Sequence, residues 1–427
     1  MPAVALPDSA DAHPFLIDGA RCWTIGEIRR EPAIDLSSVR AGDVVALIGD
    51  FDAVTLSSFL ALAARNAIVM PLTRDTAVQH PYFFAAGGAG FRLENGRLQR
   101  LDSAADHPLK AQLREQAHGG LILFTSGTTG SPKAILHDLS HFLARYQTKR
   151  PALRTLSFLL FDHIGGLNTV FHTLFNCGTL VRAGSRSPAD VTAAIARHAI
   201  ELLPTSPSFL RLWLMSGALD EGADRLKIVT YGTERMDEGT LTRIAAALPH
   251  VDFRQTYGMS ELGILRVRSR ARDSTWMKIG GEGVETKIEG DQLWVRAEHR
   301  MLGYLNSPDP FDRAGWYPTG DRIAEEEGWI RILGRNDELI NVGGVKIMPE
   351  QLETVGLSHP DMMHCHAVGI ANPILGQHIE IQCELVPGAK ADVPTLRRHF
   401  AARLPPELRP HRIRIADIPM SHRFKRS

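Results

Sequence analysis

The sequence predicts an α/β protein. A large, multi-lobed N-terminal part has mainly parallel sheets and a small antiparallel β region, and a small α+β unit follows it. Three observations carry this expectation. Residues 42–49 read as a buried strand, Leu56, Phe59, Leu60 and Ala63 have helical spacing, and Ile68–Leu72 reads as a second strand. Strand, helix, strand in that order implies a parallel sheet. The same alternation resumes over residues 155–247, through LSFLLF, a helix near 169–175, TLVRA, a helix to Ala199 and IVTYG. From Gly281 the texture changes. VETKIEGDQLWVRA and WIRILGR alternate with period two around turns at Glu289-Gly290-Asp291 and Glu327-Gly328, which predicts antiparallel strands.

The remaining elements follow from shorter signals. Residues 84–116, glycine-rich and then charged, read as a poorly defined connection, and residues 139–150 as a helix. After Gly334-Arg335, the last quarter has its own pattern. It contains a helix near 349–356, strands around 364–370 and 379–386, and a helix over 394–404. A boundary near Asn336-Asp337 gives two units, 1–335 and 336–427.

A chain of 427 residues exceeds one ordinary core, in keeping with two or more units. Lys plus Arg equals Asp plus Glu at 48 each, so no net field favours nucleic acid or an anionic membrane. Cys22, Cys177, Cys365 and Cys383 form no C-x-x-C pair, which argues against a disulfide framework and a cysteine-rich zinc site. The N-terminus lacks a basic-then-apolar leader, and the longest apolar run, over 59–72, is broken by Arg65 and Asn66. The expectation is a soluble, cytoplasmic protein with no membrane and no nucleic-acid partner.

The run LFTSGTTGSPKAI, residues 123–135, is the most informative stretch. An apolar strand opens into Thr125, Ser126, Gly127, Thr128, Thr129 and Gly130, and the loop closes at Pro132-Lys133. The two glycines permit close approach of the backbone to a ligand. Successive N–H groups, hydroxyls and one ammonium make a concavity suited to polyphosphate. The order Gly-Thr-Thr-Gly-Ser-Pro-Lys is not the Walker order, so a P-loop kinase or GTPase does not follow. Further on, RQTYGMSELG offers an aromatic face at Tyr257 beside Gly258, with Ser260 and a carboxylate at Glu261 suited to a hard cation. In GWYPTGDR, Asp321 sits on a glycine turn where it can accept two hydroxyls, and Arg335 can reinforce that contact.

Taken in order, these motifs resemble the adenylate-forming superfamily: acyl- and aryl-CoA synthetases, nonribosomal adenylation domains and luciferases. The resemblance runs from a weak match at Trp23-Thr24-Ile25-Gly26-Glu27 to Lys425, with a first lobe shorter than usual. It implies ATP and Mg²⁺ as cofactors, with the 125–133 loop on the phosphates and Glu261 on the metal. Tyr257 and Gly258 then flank the adenine from one side, and Gly232, Thr233 and Glu234 form the other side. It further implies ribose contacts at Asp321 and Arg335 and a hinge at Asp337, about which the second unit moves. Lys346, on the region that enters the site for the thioester step, stands where the family has a non-catalytic residue. Pro419-Met420-Ser421-His422-Arg423-Phe424-Lys425 matches the pattern that carries a catalytic lysine, with Phe424 where glycine is usual. His163, in LLFDHIGGLNTVFHTL, matches a histidine that gates the carboxylate. Asp162, His163, Ser206 and Gly258 are the candidate acid pocket, and Asp162 needs either a substrate amine or a nearby arginine.

The implied reaction is adenylation of a carboxylic acid with release of pyrophosphate, then transfer to a thiol, either CoA or the phosphopantetheine of an acyl carrier protein. The alternatives are a stand-alone amino-acid-activating enzyme, transfer to a non-thiol small acceptor, and a non-catalytic relative that only binds nucleotide or a partner.

Overall fold

The structure, a computed structural model, describes residues 11–30, 34–102, 106–125, 131–373 and 375–418. Two seven-stranded sheets dominate the first 255 residues. One runs in the order Asp252–Gln255, Ile228–Tyr231, Leu202–Thr205, Arg154–Ser157, Thr179–Arg182, Pro14–Asp18, Arg21–Thr24, and all but its last pairing are parallel. The other runs Gly303–Tyr304, Ala134–Asp138, Gly120–Phe124, Ile68–Leu72, Val44–Ile48, Phe91–Glu94, Arg97–Arg100, with a parallel centre and antiparallel ends. Val44–Ile48, Ile68–Leu72 and Gly120–Phe124 are buried at every position, which is why they read as unbroken apolar runs.

Helices Ala53–Ala64 and Ile164–Phe175 share one core with both sheets, around Phe51, Phe59, Phe161 and Phe171. The rings of Phe51 and Phe161 meet edge to face at 5.7 Å. Helix Ile164–Phe175 begins well before residue 169, because His163 caps it: its Nδ1 accepts from the Gly165 amide at 3.1 Å. The helix expected over 139–150 ends at Ala144. Residues 84–116 are no loose connection. They contain the end of helix His80–Gly87, a hairpin of Phe91–Glu94 with Arg97–Arg100, and helix Pro108–Glu115. The hairpin turns at Asn95-Gly96, both with positive φ, a two-residue turn whose signal is plain in the sequence.

The antiparallel sheet also has seven strands and starts at Tyr257, ahead of the change in texture at Gly281. Its strands are Tyr257–Met259, Gly263–Ser269, Met277–Gly280, Trp329–Arg335, Tyr317–Glu326, Gln292–Ala297 and Val284–Glu289. Gly258 and Gly263 interrupt the alternation that would have announced its first two strands. The last element is a mixed sheet of Ile340–Val342, Val345–Ile347, Gly376–Leu385, Met362–Asn372 and Arg412–Ile415. It packs with helices Pro349–Leu357 and Val393–Arg403 around a separate core of Ile347, Leu352, Ile379, Leu396 and Phe400. No helix among the described residues is long and apolar enough to cross a membrane.

Two buried points fix how these layers meet. Gly166 lies where the start of its helix crosses the chain before it: a Cβ there would sit 1.8 Å from the Leu160 carbonyl oxygen, which is backbone and cannot swing aside. His137, fully buried on Ala134–Asp138, donates from Nε2 to the Ser260 carbonyl at 2.7 Å, joining the second sheet to the antiparallel one. Burial pushes its imidazole down to about 4, against 6.5 when free.

Gly166→Ala is expected to lower unfolding stability by about 1–3 kcal/mol in urea titrations. Gly280→Ala, where a Cβ meets nothing within 4 Å, is the near-neutral control. His137 sets an acid limit. Between pH 6.5 and 4 the unfolded chain takes up its proton before the folded one, so stability falls as pH falls through that window. Between pH 7 and 5 the native protein should lose about 2 kcal/mol more than a His137→Gln variant, read as urea midpoints at the two pH values.

Candidate active site

The phosphate-type loop is built on the antiparallel pair Gly120–Phe124 and Ala134–Asp138, with Phe124 opposite Ala134. Two hydrogen bonds staple its base. The Thr125 amide donates to the Lys133 carbonyl at 3.1 Å, and the Lys133 amide donates to Thr125 Oγ1 at 3.0 Å. Pro132 is held from outside, its carbonyl accepting from the Tyr82 hydroxyl at 2.7 Å and from Asn306 Nδ2 at 3.1 Å. Asn306 also accepts from the Ala134 amide at 2.8 Å. Ser126, Gly127, Thr128, Thr129 and Gly130 lie outside the described residues. Lys133 carries its ammonium 4.9 Å from the Tyr304 ring centre, within cation–π range.

Tyr304 connects that lysine to Glu261. Its hydroxyl donates to Glu261 Oε1 at 2.7 Å, and the carboxylate is 7% exposed. Burial first, then the Glu261 charge, hold the Tyr304 and Tyr317 hydroxyls well above the usual phenol range. The main chain of Glu261 is tied as well, because its carbonyl accepts from the Met301 amide at 2.8 Å. No group of three His, Cys, Asp or Glu among the described residues could hold a metal by itself. Tyr317 also hydrogen-bonds this carboxylate, and one buried carboxylate held by two phenols suits Mg²⁺ that takes its remaining ligands from phosphate and water.

On the other side of Tyr257, its hydroxyl donates to Asp321 Oδ2 at 2.5 Å. Burial raises the Asp321 carboxyl above its ordinary range, while the Tyr257 bond and the Arg335 charge act the other way. Arg335 lies directly across the hairpin from Asp321, its Nη1 3.8 Å from Oδ1, and its Nε donates to Asp337 at 3.0 Å. The Asp321 amide donates to Thr319 Oγ1 at 3.1 Å, and Gly320 takes φ +76°, the left-handed turn that aims the carboxylate. Tyr257 and Asp321, expected on adenine and ribose separately, are thus bonded to each other.

The second glycine turn faces this group through Thr256, whose amide and hydroxyl both donate to the Tyr231 carbonyl. A Cβ on Gly232 would lie 2.1 Å from Thr256 Oγ1, so only glycine fits. Thr233 follows with φ +71°, unusual for a β-branched residue, and Glu234 accepts from the Ser208 hydroxyl. Arg235 then crosses to the C-terminal helix Pro349–Leu357, donating to Glu350 at 2.8 Å with Glu353 at 3.9 Å.

Two of the acid-pocket residues occupy helix starts. His163 caps Ile164–Phe175, and Ser206 caps Pro207–Met215 by accepting from the Phe209 amide at 3.2 Å. Gly258 has no room for a side chain, since a Cβ would lie 2.5 Å from the Gly263 carbonyl. Asp162 is buried, accepts from Thr73 Oγ1 at 3.4 Å, and lies in the field of the Arg186 guanidinium. Of the two partners its sequence left open, an arginine lies within charge range, where Asp50 and Asp75 act on it more strongly than Asp162. The structure therefore gathers Thr125, Lys133, Tyr257, Gly258, Ser260, Glu261, Asp321 and Arg335 along one seam, and leaves Lys425 outside the described residues. Sequence reasoning missed Tyr304, Asn306, Tyr82 and His137. A tyrosine after glycine in MLGYLN was the one signal that could have flagged Tyr304.

A family model described as AMP-binding enzyme matches residues 89–305, half of the chain. Similar proteins include a sulfoacetate–CoA ligase of Cupriavidus necator, 27% identical over 70% of this chain and 64% of its own length. A 2-succinylbenzoate–CoA ligase of Staphylococcus epidermidis is 29% identical over 60% of this chain and 57% of its own. The chain thus spans less than two thirds of the length of these curated relatives. Among solved structures, ATP-bound MatB of Rhodopseudomonas palustris superposes with a TM-score of 0.82 at 19% identity, over 98% of this chain and 95% of that one. The anthranilate CoA ligase AuaEII with anthranoyl-AMP gives 0.81 at 16% identity, over 98% of this chain and 93% of that one. The motifs, their order along the seam and the matched segment agree: the chain belongs to the AMP-binding enzyme family, the adenylate-forming superfamily.

Proposed function

We propose that this protein joins a carboxylic acid to AMP, releasing pyrophosphate, and then passes the acyl group to a thiol. The observation that carries the reading is the seam itself: Lys133 over Tyr304, Tyr304 on Glu261, and Tyr257 on Asp321, all beside a stapled glycine-hydroxyl loop. An oxygen of the acid attacks the α-phosphate; the bond to the bridging oxygen of pyrophosphate breaks. Such chemistry relies on positioning and charge neutralisation and needs no protein nucleophile. Lys133 and the loop hold the leaving phosphates; Glu261 would hold Mg²⁺, which would supply charge neutralisation there. Asp321 and Arg335 orient the ribose, and Lys425 bridges the acid and the α-phosphate. Residues 1–335 bind the nucleotide, and residues 336–427, turning near Asp337, bring first Lys425 and then the thiol to the site.

CoA and a carrier-protein phosphopantetheine are both consistent acceptors; ligases of both kinds occur among the similar proteins. The four free cysteines fit a reducing cytoplasm. The Thr73 bond and the Arg186 charge beside Asp162 favour an acid without an amine over an amino acid.

With a panel of aliphatic, aryl and amino acids, ATP–pyrophosphate exchange is expected for at least one member; none at all refutes the adenylation reading. Glu261→Gln should slow exchange about 10²-fold or more. Lys425→Ala should abolish exchange while keeping thioester formation from a supplied acyl-adenylate, and unchanged exchange would remove Lys425 from the mechanism.

A further inference from the structure

We infer that His137 is a positioning residue for the cation site: its hydrogen bond to the Ser260 carbonyl sets the peptide from which the Glu261 carboxylate projects. This rests on the reading of Glu261 as the Mg²⁺ ligand. The imidazole is fully buried, and its one hydrogen bond among the described residues is that bond of 2.7 Å. Because the acceptor is a carbonyl, Nε2 carries the proton; Nδ1 is buried with no hydrogen-bond partner among the described residues. An unsatisfied buried nitrogen costs about 1–3 kcal/mol, so an apolar side chain of similar size would serve packing better. Packing against Phe142, whose ring centre lies 5.5 Å away, therefore does not account for a histidine here. Its donor does.

The position is also the right one. Lys133 directly precedes the strand Ala134–Asp138, His137 lies near its far end, and Tyr304 pairs with Ile135 between them. The 260–261 peptides are thereby gripped at three points. His137 holds the Ser260 carbonyl, the Met301 amide holds the Glu261 carbonyl, and the Tyr304 hydroxyl holds the carboxylate. Behind them Arg145 donates to the His299 carbonyl at 2.9 Å and fills the space a Cβ on Gly263 would need. With two carbonyls and one carboxylate oxygen fixed, the second carboxylate oxygen has little freedom. Supports of this kind are typically worth about 10–100-fold in metal affinity.

The test compares His137→Gln, which keeps a donor near Nε2, with His137→Met, of similar shape and without one. Two quantities are read on the full chain: the rise in thermal midpoint that Mg²⁺ adds at saturating ATP, against ATP with chelator, and the Mg²⁺ concentration for half-maximal pyrophosphate exchange. The Met variant should need about tenfold more Mg²⁺ and lose most of the metal-dependent rise, while Gln stays within about threefold of the native protein. Equal responses in the two variants, or a native response in Met, overturn the inference. If Met does not fold, Gln decides: a native response upholds it and a lost response overturns it. A native protein without any Mg²⁺-dependent rise refutes the metal reading of Glu261, and this inference falls with it.

Discussion

The site depends on a two-residue ladder. Gly303 and Tyr304 pair with Leu136 and Ile135, and this short antiparallel contact is where the second sheet receives the chain returning from the antiparallel one. The polar anchors on the Lys133 and Glu261 side of the seam are referred to it. Lys133 precedes the ladder on one strand and His137 follows it; Tyr304 lies within it; Met301 and Asn306 flank it. Hydrogen bonds from these residues reach the loop base at Pro132 and Ala134 and the carboxylate segment at Ser260 and Glu261. The two halves of the site come from segments more than a hundred residues apart. Their spacing is nevertheless that of a single pair of strands, about 5 Å.

Burial then decides what the anchored groups can do. Glu261 and Asp321 are carboxylates taken almost out of water, and each has a phenol donating to it. A phenol is a partner that costs no formal charge: it satisfies a buried carboxylate oxygen without adding a second charge, and at Asp321 the Arg335 guanidinium, 3.8 Å away, supplies that charge as well. The seam therefore keeps negative charge available for a cation and for hydroxyl donors. Lys133, beside it, faces an aromatic ring.

Much of this was legible in the sequence, and the losses have physical causes. The parallel strands announced themselves because burial on both faces leaves no polar residue to break the run, as at Ile68–Leu72. Glu261 and Asp321 were legible because they depend on local order: a glycine nearby in the chain and an acid after it. The supports were not. Tyr304, Asn306 and His137 act across the ladder, and nothing in the local sequence of HDLS or GYLN says which strand will lie opposite. His163 and Ser206 carry a second task the sequence does not announce: their side chains also satisfy helix amides. The early strands of the antiparallel sheet were lost where Gly258 and Gly263 interrupt the period.

Arg235 has one more consequence. It follows Thr233-Glu234 directly, and its guanidinium is shared by Glu350 and Glu353 one helical turn apart, all three mostly screened from water. An ion pair in that setting resists gradual stretching: a small separation loses the attraction before water can enter to solvate the ends. If the second unit turns as proposed above, the joint between the turn and the helix would act as a detent. It would favour the paired position or a fully parted one over any stretch between them.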